Sequence, residues 1–428
     1  MMKIYDYNTV PLSELLIRTV ERSGVSDAVR DILADVEARG DEALFEYSRR
    51  FDGAELDCLE VSRQEIDAAY NAMDPEFIAV LERAAENIRA FHRHEQPKGF
   101  RIERPDGTYL GMKVTPIENV GLCVPGRTAA YPSTVLMTAI PAKLAGCRQL
   151  VMVSPPGPDG TQPPAILAAA KIAGVDRIFR IGGAQAVGAL AFGTKSVPKV
   201  DKIVGPGSAY VAEAKRQVFG RVDIDMIAGP SEILVVADDT CDPVCVAADL
   251  LSQAEHDVLA SAVLVTDSRD LAVAVQAEVD RQLSLLPREA IARQSIEANG
   301  KIILTDDLLT AVEAANELAP EHLEICVDDP SPILEKVRNA GSVFLGKYCP
   351  EALGDYLAGP NHTLPTAGAA RFSSPLGVED FVKRTQYTCF TSSALEAVSR
   401  DIARFAREER LEGHARSALV RFHKEAVQ

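Results

Sequence analysis

The sequence is first informative in what it lacks. It has no basic excess: 45 Lys and Arg against 62 Asp and Glu leave a formal charge of −17. No positive footprint is therefore expected for a phosphate backbone, and no nucleic-acid partner. No uncharged apolar run approaches the ~20 residues of a membrane helix. The best candidate, 128–142, is short and carries two prolines, so no membrane partner is expected. The opening Met1-Met2-Lys3-Ile4-Tyr5-Asp6 lacks the apolar core of a secretion signal. None of the eight cysteines forms a CxxC pair. That argues against a zinc ribbon or disulfide scaffold and for reduced thiols in a cytoplasmic protein. Only seven histidines are present, so any imidazole-based metal site has few candidates.

What remains is the composition of an ordinary globular enzyme, 47% hydrophobic and 25% charged over 428 residues, with room for two to three domains. Helical patterns occupy 12–20, 25–38, 42–51, 64–73 and 76–92. A β-hairpin is predicted over 100–103 and 109–114 around Pro105-Asp106-Gly107-Thr108. From about residue 116, short β-rich runs (119–124, 150–154, 177–181, 202–204, 233–237, 262–266, 301–304, 323–327 and 342–345) alternate with helical stretches. This is the signature of βαβ units and parallel sheet. The expected fold class is α/β, with two similar halves and a cleft between them. The expected divisions are 1–115 (helical, with the hairpin), 116–235, 236–375, and a polar, helical C-terminal arm, 376–428.

Several stretches could carry chemistry. Asp242 and Pro243 start a helix whose stripe Val246, Ala247, Leu250, Leu251 and Ala254 is buried. At its end Gln253 and His256, three apart, share a face and could offer an amide oxygen and an imidazole nitrogen to one metal. Ile181-Gly182-Gly183-Ala184-Gln185, Val204-Gly205-Pro206-Gly207-Ser208 and Ala228-Gly229-Pro230-Ser231-Glu232 are glycine-bearing junctions. The first two open helices whose N–H groups suit a phosphate, although neither is a full GxGxxG. Pro320-Glu321-His322-Leu323 places an acid and an imidazole at an element boundary, suited to proton transfer. Asp355 is an oxygen ligand by type, and Glu408 to His414 is a charged stretch of the arm. Singly, each has a plain structural explanation as a turn, a helix end or a solvated face.

Together, Gly182–Gln185, Val197–Ile203, Ala228–Glu232, Ser252–His256, Pro320–Leu323 and Gly359–Thr366 occur in the order seen in histidinol dehydrogenases. The sequence resembles that family closely over about residues 110–416 and more loosely over the N-terminal helices. The resemblance implies two incomplete Rossmann-like halves of aldehyde-dehydrogenase type. It also implies a zinc- and NAD-dependent oxidation of L-histidinol, through the aldehyde, to L-histidine, the last steps of histidine biosynthesis. Carried over by position, the ligands of one Zn2+ per subunit would be Gln253, His256, Asp355 and His414. Glu321 and His322 would be the catalytic pair. The substrate would be held by Ser231 and Glu409 together with the metal ligands and the catalytic pair, and NAD+ by Tyr131, Gln185 and Ser208. Ser208 stands where the family usually has Asn, and Arg127 where a second glycine is usual; both bear on the cofactor side. The resemblance further implies a homodimer whose C-terminal arms complete each other's sites.

The nearest alternative is a related zinc- and NAD-dependent dehydrogenase of another primary alcohol, against which stand Glu409, His414 and the run Asn361–Thr366. A zinc hydrolase using Glu321 as base would need no nicotinamide. A binding protein that has lost catalysis would not be expected to keep Glu321, His322 and all four ligand positions. Thiol catalysis is not expected, because no cysteine lies inside the matched motifs; Cys326, in a β-run, reads as core.

Overall fold

In the computed structural model, residues 2–15, 24–126 and 130–423 are described. Arg127 and most of the helix expected at 12–20 lie outside them; Leu12–Leu15 is helical. By internal contacts the chain forms two units, Met1–Gln96 with Ile117–Phe381, and Pro97–Pro116 with Val382–Gln428. No helix among the described residues is long and apolar enough to cross a membrane.

The larger unit contains two parallel sheets. The strands are β1 (Lys3–Asp6), β4 (Asn119–Cys123), β5 (Gln149–Ser154), β6 (Arg177–Arg180), β7 (Lys202–Val204), β8 (Asp223–Ile224), β9 (Glu232–Ala237), β10 (Ser261–Thr266), β11 (Lys301–Leu304), β12 (His322–Cys326) and β13 (Ser342–Leu345). In the smaller unit, β2 (Phe100–Glu103), β3 (Tyr109–Pro116) and β14 (Val382–Cys389) form an antiparallel sheet. The first parallel sheet has the order β6-β5-β4-β7-β8, the second β1-β11-β10-β9-β12-β13. In each, the strand order reverses beside the strand that comes first in the main run, β4 or β9.

Both faces of both sheets are covered, and the strand composition shows it. On β9, Ile233, Val235 and Ala237 enter one core with the helices Pro243–Ala254 and Arg269–Leu283. Leu234 and Val236 enter another with the helix Leu308–Leu318. A strand buried on both sides reads as an unbroken apolar run because successive side chains point to opposite faces. The first sheet repeats this, with Val120 and Leu122 on one face and Val151 and Val153 contributing to the other.

Three local expectations are corrected. Residues 382–389, expected to be helical, form β14, paired antiparallel with β3 from Val382↔Pro116 to Cys389↔Tyr109; its burial pattern is mostly exposed, so no apolar alternation marked it. Lys3–Asp6 is a strand inserted beside β11. His256 is not on the helix with Gln253: that helix ends at Ala254, and the His256 N–H closes a turn onto the Gln253 carbonyl at 3.1 Å.

Candidate active site

The site is built at the amino ends of β9 and β12. These strands are parallel neighbours, with His322 in register with Ile233, so Ser231-Glu232 and Glu321-His322 lie side by side. The helix Pro243–Ala254 follows β9 and must run back against it to reach the next parallel strand. It therefore delivers Gln253, and His256 just beyond, to the same edge. Its start is secured by Pro243 and by the Asp242 carboxylate, which accepts from the Val244 N–H at 2.9 Å. After β13 the short helix Glu351–Tyr356 is tied down by its first residue, whose N–H donates to the buried Glu324 carboxyl at 2.6 Å. That helix presents Glu351 and Asp355, four apart and so on one face. In open α/β sheets ligands usually sit outside the carboxyl ends of the strands; this cluster lies at the opposite ends.

The state of His322 follows from its partners. It is 4% exposed, and its Nδ1 lies 2.9 Å from the Glu232 carbonyl oxygen. A carbonyl can only accept, so Nδ1 carries the hydrogen and Nε2 keeps a free lone pair. Burial pushes the pKa of the imidazole down to about 4, so the ring is neutral at physiological pH. Its Nε2 has no hydrogen-bond partner and stands 3.6 Å from Glu351 Oε1. Glu321 accepts from the Glu232 N–H through Oε2 at 2.9 Å, and burial raises its carboxyl well above the usual range. One residue, Glu232, thus orients both members of the pair through its backbone. Burial, with the charge of Asp355 second, pushes Glu351 up to about 8.

Around this pair the fold gathers His256, whose imidazole is held below its ordinary pKa by burial, together with Asp355 and Gln253. His322, Glu351 and Asp355 bring one ligand-type atom each within 4.8 Å of one another. Three buried polar atoms here lack partners: Gln253 Nε2, His322 Nε2 and Glu351 Oε1. An amide rotated by 180° exchanges its oxygen for its nitrogen, so Gln253 can present either. Orphaned polar atoms converging with N- and O-type donors, in a set without thiolate, fit a bound metal and a polar substrate. Ser231 is half-buried in the turn entering β9, and there the Gly229 N–H donates to Thr366 Oγ1 at 2.6 Å, joining two distant motifs.

Two members of the cluster were not singled out from the sequence. Glu351 offered one signal, its spacing of four from Asp355. His362 lay inside a quoted motif; the structure sets its Nδ1 3.4 Å from Asp355 and its Nε2 3.4 Å from Thr134 Oγ1, on the helix Pro132–Ala145 that follows β4.

The three candidate dinucleotide residues all lie past the carboxyl ends of first-sheet strands. Tyr131 precedes the helix Pro132–Ala145 that follows β4, Gln185 is buried in the first turn of Gly183–Phe192 after β6, and Ser208 is the exposed N-cap of Ala209–Val218 after β7. Tyr131 and Ser208 thus follow β4 and β7, the two strands between which the order reverses, while Gln185 follows the edge strand β6. Glu409 and His414 belong to the smaller unit, both exposed, at the end of the helix Ser392–Glu408 and within Glu412–Leu419.

Two helix-covered parallel sheets and a buried, neutral imidazole flanked by carboxyls define an α/β enzyme. A family model described as histidinol dehydrogenase matches residues 17–422. The histidinol dehydrogenase of Geobacillus kaustophilus is 53% identical over 96% of this chain and 97% of its own. That of Syntrophotalea carbinolica is 52% identical over 98% and 99%. The crystal structure of the Elizabethkingia anophelis histidinol dehydrogenase superposes with a TM-score of 0.93 at 37% identity, covering 100% of this chain and 99% of that one. The chain belongs to the histidinol dehydrogenase family.

Proposed function

We propose that this enzyme oxidises L-histidinol in two steps, through the aldehyde, to L-histidine in the cytoplasm, closing histidine biosynthesis. It would use one zinc ion per subunit and two NAD+ per turnover. The observation that carries this reading is the pinned, neutral His322 with a free Nε2, beside Glu321, at the edge where Gln253, His256 and Asp355 converge.

Gln253, His256 and Asp355 would hold the zinc with His414, and Tyr131, Gln185 and Ser208 would contact NAD+. When bound, the zinc would fix the substrate's amino and imidazole nitrogens and NAD+ would accept a hydride in each oxidation. His322 Nε2 takes the hydroxyl proton as the alcohol becomes an aldehyde. Glu321, held by the Glu232 N–H through one oxygen, uses the other to take a proton from water as it adds to the aldehyde carbon. His322 returns its proton to the aldehyde oxygen, which completes the hydrate and frees Nε2, and the hydrate then loses a hydroxyl proton back to His322 in the second oxidation. Ser231 and Glu409 would bind the substrate. Glu409 and His414, on the smaller unit, would serve the site of the partner in a homodimer.

The test is histidinol-dependent NADH formation, with a chelator and then with zinc restored. Two NADH per histidinol, lost on chelation and regained with zinc, are expected. No NADH would sink the proposal, and one NADH with released aldehyde would remove Glu321 from its role.

A further inference from the structure

Away from the proposed catalytic edge, the first parallel sheet carries a buried ion pair. Lys215, on the helix Ala209–Val218, and Asp225, just past β8, are paired with side chains 2% and 1% exposed. Burying two charges is costly before their attraction is counted, and apolar side chains often stabilise such a place as well. What the pair does with its remaining hydrogen bonds is therefore informative. Asp225 Oδ2 accepts from the Gly205 N–H at 2.7 Å, and Lys215 Nζ donates to the Gly205 carbonyl at 3.0 Å. Both backbone polar groups of one residue are thus held by the two ends of one ion pair. The second Asp225 oxygen accepts from the Met226 N–H at 2.6 Å, on the segment that runs on to Ser231.

Gly205 follows β7 directly and opens the turn Gly205-Pro206-Gly207-Ser208. Its φ of +107° is open only to glycine, and a Cβ there would strike the Cys123 carbonyl at the end of β4. The turn therefore lies across the carboxyl ends of the two strands between which the sheet's order reverses. Ser208, its exposed last residue, makes no side-chain capping bond; its carbonyl accepts from the Ala212 N–H at 3.0 Å, so the turn joins the held Gly205 directly to the start of the helix.

We infer that Lys215 and Asp225 are positioning residues for the dinucleotide: the ion pair grips Gly205 from beneath and sets the turn against which the cofactor docks. This rests on the proposal that the first half takes NAD+.

The experiment uses the full-length, zinc-loaded enzyme and compares wild type, Lys215→Met and Asp225→Asn. NAD+ affinity, histidinol affinity without NAD+, KM for each substrate, kcat, zinc content and thermal melting would be measured. The expected result for Lys215→Met is a rise in Kd and KM for NAD+ on the order of tenfold or more. Histidinol affinity and zinc content should stay within about twofold, the size of effect left at a site not in contact with the change. Asp225→Asn, which keeps one acceptor oxygen, should move the same way by less. Unchanged NAD+ affinity in a folded variant would overturn the inference. So would equal losses of NAD+ and histidinol affinity, or loss of the native melting transition in both variants, since either marks a purely structural bridge. Failure of wild type itself to bind NAD+ would instead overturn the functional proposal, and this inference with it.

Discussion

At the scale of the residue, the centre depends on which nitrogen of His322 is free, and the Glu232 carbonyl decides that. The same burial that keeps the ring neutral makes it a titrating liability. Its folded pKa of about 4 lies below the ordinary 6.5, so acid favours the unfolded chain, which takes up the proton first. In the metal-free protein this stability is fully present above pH 6.5. It is lost as pH falls toward 4, by roughly 3 kcal/mol. Urea unfolding at a series of pH values should show this loss in wild type and not in His322→Asn; parallel curves would contradict the assigned burial and tautomer. Glu321→Gln should retain the first oxidation and slow the second by about 10²–10⁴-fold, the usual worth of a general base. Rapid-quench analysis should then find aldehyde accumulating with a single NADH. Glu321 and His322 were legible as a pair from their adjacency at an element boundary. Their opposite pKa directions were not, because both come from burial against residues about ninety positions earlier in the chain.

At the scale of the element, the helix Pro243–Ala254 shows both the reach and the limit of pattern. Asp242, Pro243 and the stripe through Val246, Leu250 and Leu251 announce its start and its buried face. Its last turn could not be placed by spacing, so His256 was expected on the helix and stands beyond it. Leu250 is fully buried in the core that this helix shares with β9. Leu250→Ala should cost about 2–5 kcal/mol of stability, measured by denaturant melts; a change below ~1 kcal/mol would mean that the core there is not closely packed. Strands buried on both faces were readable as apolar runs. The exposed strand Val382–Cys389 was not, because its partner β3 lies more than 250 residues earlier and nothing local records such a ladder. Lys3–Asp6 escaped for the same reason, being held by β11 some 298 residues later.

At the scale of the whole molecule, four proposed ligands come from three distant stretches and two units. Gln253 and His256 flank one helix end, Asp355 sits after the last strand of the second sheet, and His414 is on the smaller unit. If the arm of one subunit serves the other's site, inactive His322→Ala and His414→Ala proteins should complement each other. Mixed dimers would then contain one site with both residues intact. Recovery of activity on mixing is the expected outcome, and verified mixed dimers without any recovery would place His414 in its own subunit's site.

The chain by itself determined its α/β class, its order of motifs and the residue types available for proton transfer and metal binding. Composition, two-residue and 3.6-residue periodicity, and short motifs are local properties and survive being read one window at a time. Only the tertiary structure decided that the candidate site residues gather at the amino ends of β9 and β12, that Glu351 and His362 join them, and that His322 is neutral with Nε2 free. Those facts depend on which strands become neighbours and how deeply a side chain is buried. Both are set by the packing of the entire unit rather than by any one stretch of sequence.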